Sequence, residues 1–323
     1  MKKDFYPAYA AGRLHRQSYA ILDQIDRNKY KPLIQMPVDE AREAFLETAW
    51  MGKPDADVIV SKTETESGGC KIPLWIYTPH GEGPHPIVLY FHGGGFVLGK
   101  LEEFNSFCTF LSKGTGAIVV SAGYRLAPEY KHPAQVEDAE AALNWILANG
   151  GKVNADLNRI AVAGDSAGGN LSAVLAIMAR ERNIRLSAQV LICPWLNLNS
   201  LERESYRLFG QGLWLSTEGI KWYRNHYLQN LSQAGSYKVS PGLLLDVTGL
   251  PPALIIAAEY DVLKDEAEEY YRKLKSAGVP VKYSVYEGML HDFVTLPGLF
   301  DKAEEGIDEI CSWLNNVFAK EIL

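Results

Sequence analysis

The sequence has few cysteines, and neither its cysteines nor its histidines are spaced as metal ligands usually are. Among 323 residues there are four cysteines and seven histidines, with no Cys-x-x-Cys, His-x-His or His-x-x-x-His pattern. Zinc sites are typically built from such closely spaced pairs, and scattered cysteines are typical of reduced, buried thiols. We therefore predict no disulfide framework, no metal site and no cofactor.

Long apolar runs and an excess of positive charge are also missing. No apolar stretch approaches the roughly 20 residues that a membrane-spanning helix needs. Lys2 and Lys3 are not followed by the apolar segment of a signal peptide. With 32 Lys and Arg against 39 Asp and Glu, the net charge of −7 argues against a nucleic-acid partner. We expect a cytoplasmic protein that binds neither membranes nor nucleic acids.

What the chain does have is an apolar pattern typical of α/β proteins. Its 47% hydrophobic content can build one large core. The N-terminal region is predicted to contain helices and no strands. Two β-rich segments then flank the hairpin signal at 67–69, and beyond them strands alternate with helices. This alternation predicts a mainly parallel sheet flanked by helices. The predicted strands are 58–64, 72–77, 87–91, 117–121, 159–163, 188–192, 253–258 and 281–286, and the predicted helices are 13–26, 38–51, 103–113, 134–148, 171–180, 217–229, 264–277 and 303–318.

The most informative segment is GDSAGGN at 164–170, between an apolar strand and a helix. Serine in Gly-x-Ser-x-Gly at such a junction is typical of a nucleophile elbow, whose glycines let the backbone turn tightly enough to present the hydroxyl above the sheet. A glycine-rich turn can also cradle a phosphate, but no Gly-Lys-Ser/Thr follows and the spacing is not Gly-x-Gly-x-x-Gly. Ser166 is the candidate nucleophile, and Asp165 is given a structural role.

A second glycine-rich segment, HGGG at 92–95, closes the apolar strand 86–91. Loops of this kind supply backbone N–H donors to an oxyanion in α/β-hydrolases. A serine nucleophile together with an anion hole predicts acyl transfer through a covalent serine ester.

A serine hydroxyl needs a base, and the base needs an orienting acid. In α/β-hydrolases these follow the serine in the order acid, then histidine. His291 comes just after strand 281–286 and is the candidate base. The other histidine beyond the serine, His226, lies inside a predicted helix among aromatic residues, where packing or solvent exposure is the simpler interpretation.

The acid has two main candidates. Asp261 follows the strand 253–258 and is favoured. Asp265 lies one helical turn later and is the alternative, although a first-turn helix charge explains it equally well. Glu259 and Asp292 are less well placed.

Five motifs, which occur in the same order as in a known family, carry a resemblance to it. The chain resembles the hormone-sensitive-lipase-like family of α/β-hydrolases, close in character to bacterial acetyl esterases and carboxylesterases. The resemblance covers the chain from about Val58 onward, and the N-terminal helices match the cap of that family. The motifs are HGGGF at 92–96, YRLAPE at 124–129, GDSAGGN at 164–170, DVLKDE at 261–266 and HDF at 291–293.

The resemblance implies an α/β-hydrolase fold with a helical cap and a catalytic triad without cofactor. His92 would brace the glycine loop, and 124–129 would form a structural turn. The implied triad is Ser166, Asp261 and His291, and the implied oxyanion hole uses backbone N–H groups of Gly94, Gly95 and Ala167, with Gly93 shaping the loop.

The chain departs from the family at two positions. The family usually has Pro after the catalytic Asp and Gly after the catalytic His, where this chain has Val262 and Asp292. A carboxylate at 292 is expected to raise the pKa of His291 and so to move the pH optimum.

The strand–helix alternation stops between Trp195 and about Pro241, which is most simply a cap over the carboxyl edge of the sheet. We therefore predict N-terminal cap helices at 1–55, a catalytic domain at 56–194 and 242–323, and a cap insertion at 195–241. Apolar residues of the insertion could wall a substrate pocket, although plain cap packing explains them equally well. These residues are Phe209, Leu213, Trp214, Leu215 and Trp222.

The predicted function is hydrolysis of short-chain carboxylic esters, acetyl to butyryl, with a small-molecule ester as the partner. Two alternatives remain. Receptors of this fold bind small molecules without catalysis, but the resembling ones have lost the histidine that His291 supplies here. Amide hydrolysis or acyl transfer to another alcohol would use the same triad. Related folds often form homodimers, and no feature of the sequence decides the oligomeric state.

Overall fold

Eight strands form one sheet in the described residues, which are 12–28, 31–46 and 57–320 of the computed structural model. They are β1 (Val58–Ser67), β2 (Cys70–Pro79), β3 (His85–Phe91), β4 (Ile118–Ala122), β5 (Ala155–Asp165), β6 (Ala188–Ile192), β7 (Ala253–Tyr260) and β8 (Val281–Leu290). Their order across the sheet is β1-β2-β4-β3-β5-β6-β7-β8. β1 and β2 are antiparallel to each other, β2 is antiparallel to β4, and all other neighbours are parallel. The predicted mainly parallel sheet is therefore confirmed.

The helices also follow the predicted pattern. They are α1 (Arg16–Asn28), α2 (Val38–Leu46), α3 (Asn105–Thr115), α4 (Ala134–Asn149), α5 (Ala167–Glu181), α6 (Glu204–Phe209), α7 (Thr217–Tyr227), α8 (Lys264–Ser276) and α9 (Asp301–Lys320). The end of the predicted helix 38–51 lies outside the described residues. Helix α6 was not predicted, because six residues are too few to show a helical period.

The sheet is buried on both faces. Along β3, Ile87 and Leu89 belong to one hydrophobic cluster, and Val88 and Tyr90 belong to another. Helices α4 and α5 contribute to the first cluster and helices α3 and α9 to the second, so each face is covered by a helical layer. Burial on both faces explains why the sequence of β3 is continuously apolar rather than alternating between apolar and polar residues.

The carboxyl ends of β5, β7 and β8 lie at the same edge of the sheet because these strands are parallel. The next residues in the chain are Ser166, Asp261 and His291. β8 continues to Leu290, beyond the predicted end at 286, so His291 follows the strand directly rather than lying in a loop. An irregularity in the β7–β8 register between Ala258 and Tyr260 accompanies this extension.

Two further features bear on the sequence predictions. All four cysteines are free thiols, and Cys108, Cys193 and Cys311 are buried. Among the described residues, no helix is both long enough and apolar enough to cross a membrane.

Candidate active site

Ser166 occupies the junction of β5 and α5 in a strained backbone conformation. Its φ is +52°, a region that few residues other than glycine adopt. The turn is held by three backbone hydrogen bonds, because Ser166 N donates to Ile192 O at 2.8 Å and its carbonyl accepts from Asn170 and Trp195 at 3.0 and 3.1 Å. This arrangement is the strained strand-to-helix turn of a nucleophile elbow.

The glycines on either side of the serine are required by close backbone contacts. A Cβ on Gly164 would overlap the backbone of Gly168, and a Cβ on Gly168 would overlap the carbonyl of Phe91 at the end of β3. The Gly-x-Ser-x-Gly pattern therefore reflects the tight packing of the elbow against its neighbouring strand.

His291 connects the serine to a carboxylate. Its Nε2 lies 3.0 Å from Ser166 Oγ, and its Nδ1 lies 2.7 Å from Oδ2 of Asp261. Because an ionised carboxylate only accepts hydrogen bonds, Nδ1 is the donor. The other Asp261 oxygen accepts from Leu263 N at 2.9 Å. All three side chains are buried, so the structure brings the predicted nucleophile, base and acid into one hydrogen-bonded line.

The competing acids are engaged elsewhere. Asp265 Oδ2 accepts a hydrogen bond from Ser205 N, in the first turn of α6, at 2.7 Å. Glu259 accepts from the backbone N–H of Gly288 at 2.8 Å. The alternative base, His226, places Nδ1 2.8 Å from the carbonyl of Trp222 within its own helix. These hydrogen bonds therefore distinguish the candidate acids and bases that motif spacing alone could not.

The glycine loop after β3 and the start of α5 contain backbone donors without a backbone acceptor among the described residues. No backbone carbonyl of the described residues accepts a hydrogen bond from the N–H groups of Gly94, Gly95 or Ala167. Gly94 and Gly95 have φ values of +101° and +62°, and a Cβ on Gly94 would overlap the backbone of Leu98. The loop therefore depends on glycine for its shape, and the first N–H of α5 adds the positive end of a helix dipole.

His92 supports this loop as a neutral ring. It stacks between Tyr124 and Phe104, with ring centroids 4.3 and 5.2 Å away. Burial lowers the pKa of His92 to about 4, and its Nδ1 lies 2.7 Å from the carbonyl of Gly93. The Tyr124 hydroxyl donates to the carbonyl of His92 at 2.8 Å. These contacts fix the loop without placing His92 on the serine.

A further carboxylate adjoins the base. Asp292 Oδ2 lies 3.0 Å from Nε2 of His291, beside the contact of that nitrogen with Ser166. Burial lowers the pKa of His291, but attraction to Asp261 and Asp292 outweighs it and raises that pKa well above the usual range.

One cluster of possible metal-ligating atoms is found among the described residues. Cys193, Asp261 and His291 have ligand atoms within 4.8 Å of one another. Both imidazole nitrogens are already hydrogen-bonded in the line described above. Burial raises the pKa of the Cys193 thiol to about 12. Because the imidazole nitrogens are engaged in this way, we assign Asp261 and His291 to an acid–base pair.

The predicted pocket residues lie in a hydrophobic cluster beside the site. Phe209 and Leu213 are buried, and Trp214, Leu215 and Trp222 are partly buried. Phe209 packs edge-on against Tyr260, the last residue of β7, with ring centroids 5.5 Å apart. Packing within this cluster, rather than contact with Ser166, accounts for their positions.

Sequence reasoning missed Tyr223, which lies closer to the site. Its ring occupies the position into which a Cβ on Gly95 would project. Burial raises the pKa of its hydroxyl, and the charges on His291 and Asp292 act on that pKa in opposite directions. The only signal was an aromatic residue next to Trp222 in a helix, and this does not distinguish a site residue from a core residue.

A surface cavity of about 540 Å³ lies between α6 and the start of α7. Its lining includes Tyr206, Gln211 and Thr217, but none of the three residues of the hydrogen-bonded line. Its charged groups are internally paired, since Arg207 bonds Glu204 and Lys221 bonds Glu218. We assign the cavity no role in the reaction.

Comparison with known proteins places this geometry in a family. A family model described as the alpha/beta hydrolase fold matches residues 88–295. An ethyl acetate hydrolase of Pseudomonas putida is 33% identical over 287 residues, covering 86% of this chain and 90% of that protein. The carboxylesterase NlhH of Mycobacterium tuberculosis is 36% identical over 253 residues, covering 76% and 79% respectively.

Solved structures agree with the sequence comparisons. A hyperthermophilic esterase from Pyrobaculum calidifontis superposes with a TM-score of 0.89 at 37% identity, covering 94% of this chain and 98% of that one. A thermostable esterase from Pseudomonas putida gives 0.91 at 32% identity, covering 95% and 98%. The match of family, fold and elbow geometry leads to one conclusion: the chain belongs to the hormone-sensitive-lipase-like family of α/β-hydrolases.

Proposed function

We propose that this protein hydrolyses short-chain carboxylic esters, acetyl to butyryl, through an acyl-enzyme formed on Ser166. The chain is a carboxylesterase, as are the relatives with which it shares most of its length. The observation that carries the proposed mechanism is the line from Ser166 Oγ through His291 to Asp261, with distances of 3.0 and 2.7 Å.

In the first half-reaction, Ser166 Oγ attacks the ester carbonyl while Nε2 of His291 takes its proton. Asp261 holds the Nδ1–H and stabilises the imidazolium that forms. His291 then protonates the leaving alcohol, and the acyl group remains on the serine. Water attacks the acyl-enzyme by the same route, with His291 again acting as base, and the free acid leaves.

The oxyanion of each tetrahedral intermediate would be held by the N–H groups of Gly94, Gly95 and Ala167. This proposal is supported by the finding that no backbone carbonyl of the described residues accepts a hydrogen bond from these N–H groups. Preorganised donors of this kind matter greatly, since losing one costs about 3–4 kcal/mol in the transition state. Here they are backbone groups, so no side-chain substitution removes them cleanly.

The preference for short acyl chains rests on how closed the site is. Ser166 and His291 are each only 6% exposed. Tyr223 presses against Gly95, and Phe209, Trp214 and Trp222 lie in or pack against the hydrophobic cluster that also contains Tyr223. A relative named as an ethyl acetate hydrolase is consistent with a small acyl group.

We also propose that residues 195–241 and the N-terminal helices form a cap beside the site, on a catalytic domain of 56–194 and 242–323. In support, Arg42 of α2 donates to the carbonyls of Val97 and Ala127, both at 2.9 Å, and pairs with Glu129 at 2.8 Å. Val97 closely follows the glycine loop, so α2 is attached to the segment that shapes the proposed oxyanion hole.

The proposal is tested by release of p-nitrophenol from acetyl, butyryl, octanoyl and palmitoyl esters, with wild type and Ser166→Ala side by side. Rapid turnover of the two short esters that vanishes in the variant is the expected result. Rates that rise toward palmitoyl would contradict the short-chain preference. Turnover that survives in Ser166→Ala would contradict the mechanism, and no turnover by either protein would favour ligand binding without catalysis.

A further inference from the structure

Nε2 of His291 contacts a carboxylate oxygen at the position where a neutral imidazole would carry a lone pair. Nδ1–H is committed to Asp261, so a neutral ring presents a lone pair at Nε2. That nitrogen lies 3.0 Å from Ser166 Oγ and 3.0 Å from Asp292 Oδ2. A carboxylate oxygen facing a nitrogen lone pair is repelled, and the contact becomes attractive only when a proton lies between the two atoms.

Asp292 is held in this place by its backbone. It has a φ of +55°, and its carbonyl accepts hydrogen bonds from the N–H and hydroxyl of Thr295 at 3.0 and 2.9 Å. Its second oxygen, Oδ1, is buried and has no hydrogen-bond partner among the described residues. The backbone of Asp292 is therefore held in place, and among the described residues its carboxylate has no recorded partner other than His291.

A second buried carboxyl group faces the first. Asp165, inside the nucleophile elbow, accepts a hydrogen bond from the Tyr90 hydroxyl. A Cβ on Gly93 would overlap Asp165 Oδ2 and lie 3.3 Å from Asp292 Oδ2, so the two carboxyl groups approach each other across this glycine. Burial of two neighbouring carboxyl groups disfavours ionisation of both of them.

We propose that Asp292 is a positioning residue that forms a one-proton pair with Asp165, and that its negative charge holds His291 protonated in the resting enzyme. The proton of the pair lies on Asp165. Burial and the charge of Asp292 raise the pKa of Asp165 well above its usual range. Burial also raises the pKa of Asp292, but the imidazolium beside it opposes that rise.

The other titratable groups around this cluster do not supply a competing charge. Burial raises the pKa of each neighbouring phenol and thiol, so these groups are neutral near pH 7, and the other carboxyl group that contacts His291 is Asp261. The neutral groups are Tyr90 from β3, Cys108 from α3, Cys193 after β6 and Tyr223 from α7.

The consequence is a pH dependence with a defined sign. His291 acts as a base only after it loses its Nε2 proton, and a neighbouring carboxylate makes that loss harder. The acidic limb of kcat/KM therefore lies at higher pH than it would without Asp292. Because this inference rests on the proposed esterase mechanism, it is tested on an ester that the wild-type protein turns over.

The experiment is the pH profile of kcat/KM for wild type, Asp292→Asn and Asp165→Asn. Asn is tolerated at positive φ, so Asp292→Asn keeps the backbone while removing the charge. We expect its acidic limb to move to lower pH by about one unit. Asp165→Asn resembles the protonated acid and keeps the acceptor for Tyr90, so its limb should stay close to that of wild type.

Two outcomes would overturn the proposal: an unmoved limb in Asp292→Asn, or an equal downward shift in Asp165→Asn. If Asp292→Asn is poorly folded, Asp292→Gly, the residue usual in the resembling family, should give the same shift. Titration of the His291 ring by ¹⁵N NMR provides a readout without turnover, and it should show the lower pKa in the variant. Failure of the esterase mechanism itself is recognised separately, by turnover that survives in Ser166→Ala.

Discussion

The ring of Tyr223 lies against Gly95 so closely that a Cβ on the glycine would overlap Cγ and Cδ1 of the ring. Tyr223 belongs to α7, within residues 195–241, whereas Gly95 belongs to the loop after β3. The contact therefore joins the segment proposed as a cap to a backbone N–H proposed to bind the oxyanion.

Replacing Tyr223 by Ala is expected to relax the preference for short acyl chains. The truncation opens space beside Gly95, so the rate on octanoyl relative to butyryl esters should rise several-fold. The matched control is Tyr237→Ala, which removes a tyrosine bonded to Glu181 away from the site and should leave the ratio unchanged. An unchanged ratio in a folded Tyr223→Ala protein would show that this ring does not limit the acyl group.

Asp261 and Asp265 should differ sharply when each is replaced by Asn. Asp261→Asn removes the carboxylate that orients Nδ1 of His291, and a loss of about 10⁴ in kcat is expected, as for other triads. Asp265→Asn affects only the hydrogen bond to Ser205 N, so kcat should change by no more than a few-fold. Equal losses in both variants, measured by steady-state kinetics, would contradict the assignment of the acid.

These two aspartates show where sequence reasoning reaches its limit. The strand-to-helix pattern and the order of motifs were enough to predict the parallel sheet and to select Ser166 and His291. Asp261 was favoured over Asp265 by its position after a strand, and the structure supports it because its Oδ2 lies 2.7 Å from Nδ1 of His291, 30 residues away. Contacts between distant segments, such as that of Tyr223 with Gly95, have no local sequence pattern, because neither segment encodes the other as its partner.

The turn at 124–129 depends on a buried ion pair. Arg125 Nη2 lies 2.6 Å from Oδ1 of Asp138, which is fully buried, and Arg125 N donates to the other oxygen at 2.8 Å. Asp138→Ala leaves the guanidinium without its main partner, so the free energy of unfolding should fall by about 3–5 kcal/mol. Glu137→Ala is the matched control, since Glu137 pairs with the same arginine but is half-exposed, and its loss should cost less than about 1 kcal/mol.

Denaturant unfolding of both variants measures these differences. Similar losses for Asp138→Ala and Glu137→Ala would indicate that burial of the pair does not determine its contribution.

Glu266 is expected to make stability depend on pH. It is buried, accepts hydrogen bonds from Tyr206 Oη and Leu196 N, and burial raises its pKa to about 8. The folded protein then holds a proton that the unfolded chain releases near pH 4.5. This group stabilises the fold fully below about pH 4.5, and the contribution is lost as pH rises toward 8, at up to about 1.4 kcal/mol per pH unit.

Glu266→Gln mimics the protonated acid and should remove this slope. The difference in unfolding free energy between wild type and variant, measured from pH 5 to pH 8, isolates the contribution of Glu266. Glu269→Gln, an exposed neighbour that pairs with Arg203, is the control. Parallel pH curves for wild type and Glu266→Gln would show that Glu266 is ionised in the folded protein.

The central claim is that Ser166 carries the acyl group during turnover. Rapid mixing with p-nitrophenyl acetate, followed by acid quench and mass spectrometry of the peptides, tests it directly. We expect one acetyl group on the peptide that contains Ser166 in the wild-type protein and none there in Ser166→Ala. Acetylation at another residue during productive turnover, or ester hydrolysis by Ser166→Ala at the wild-type rate, would contradict the account.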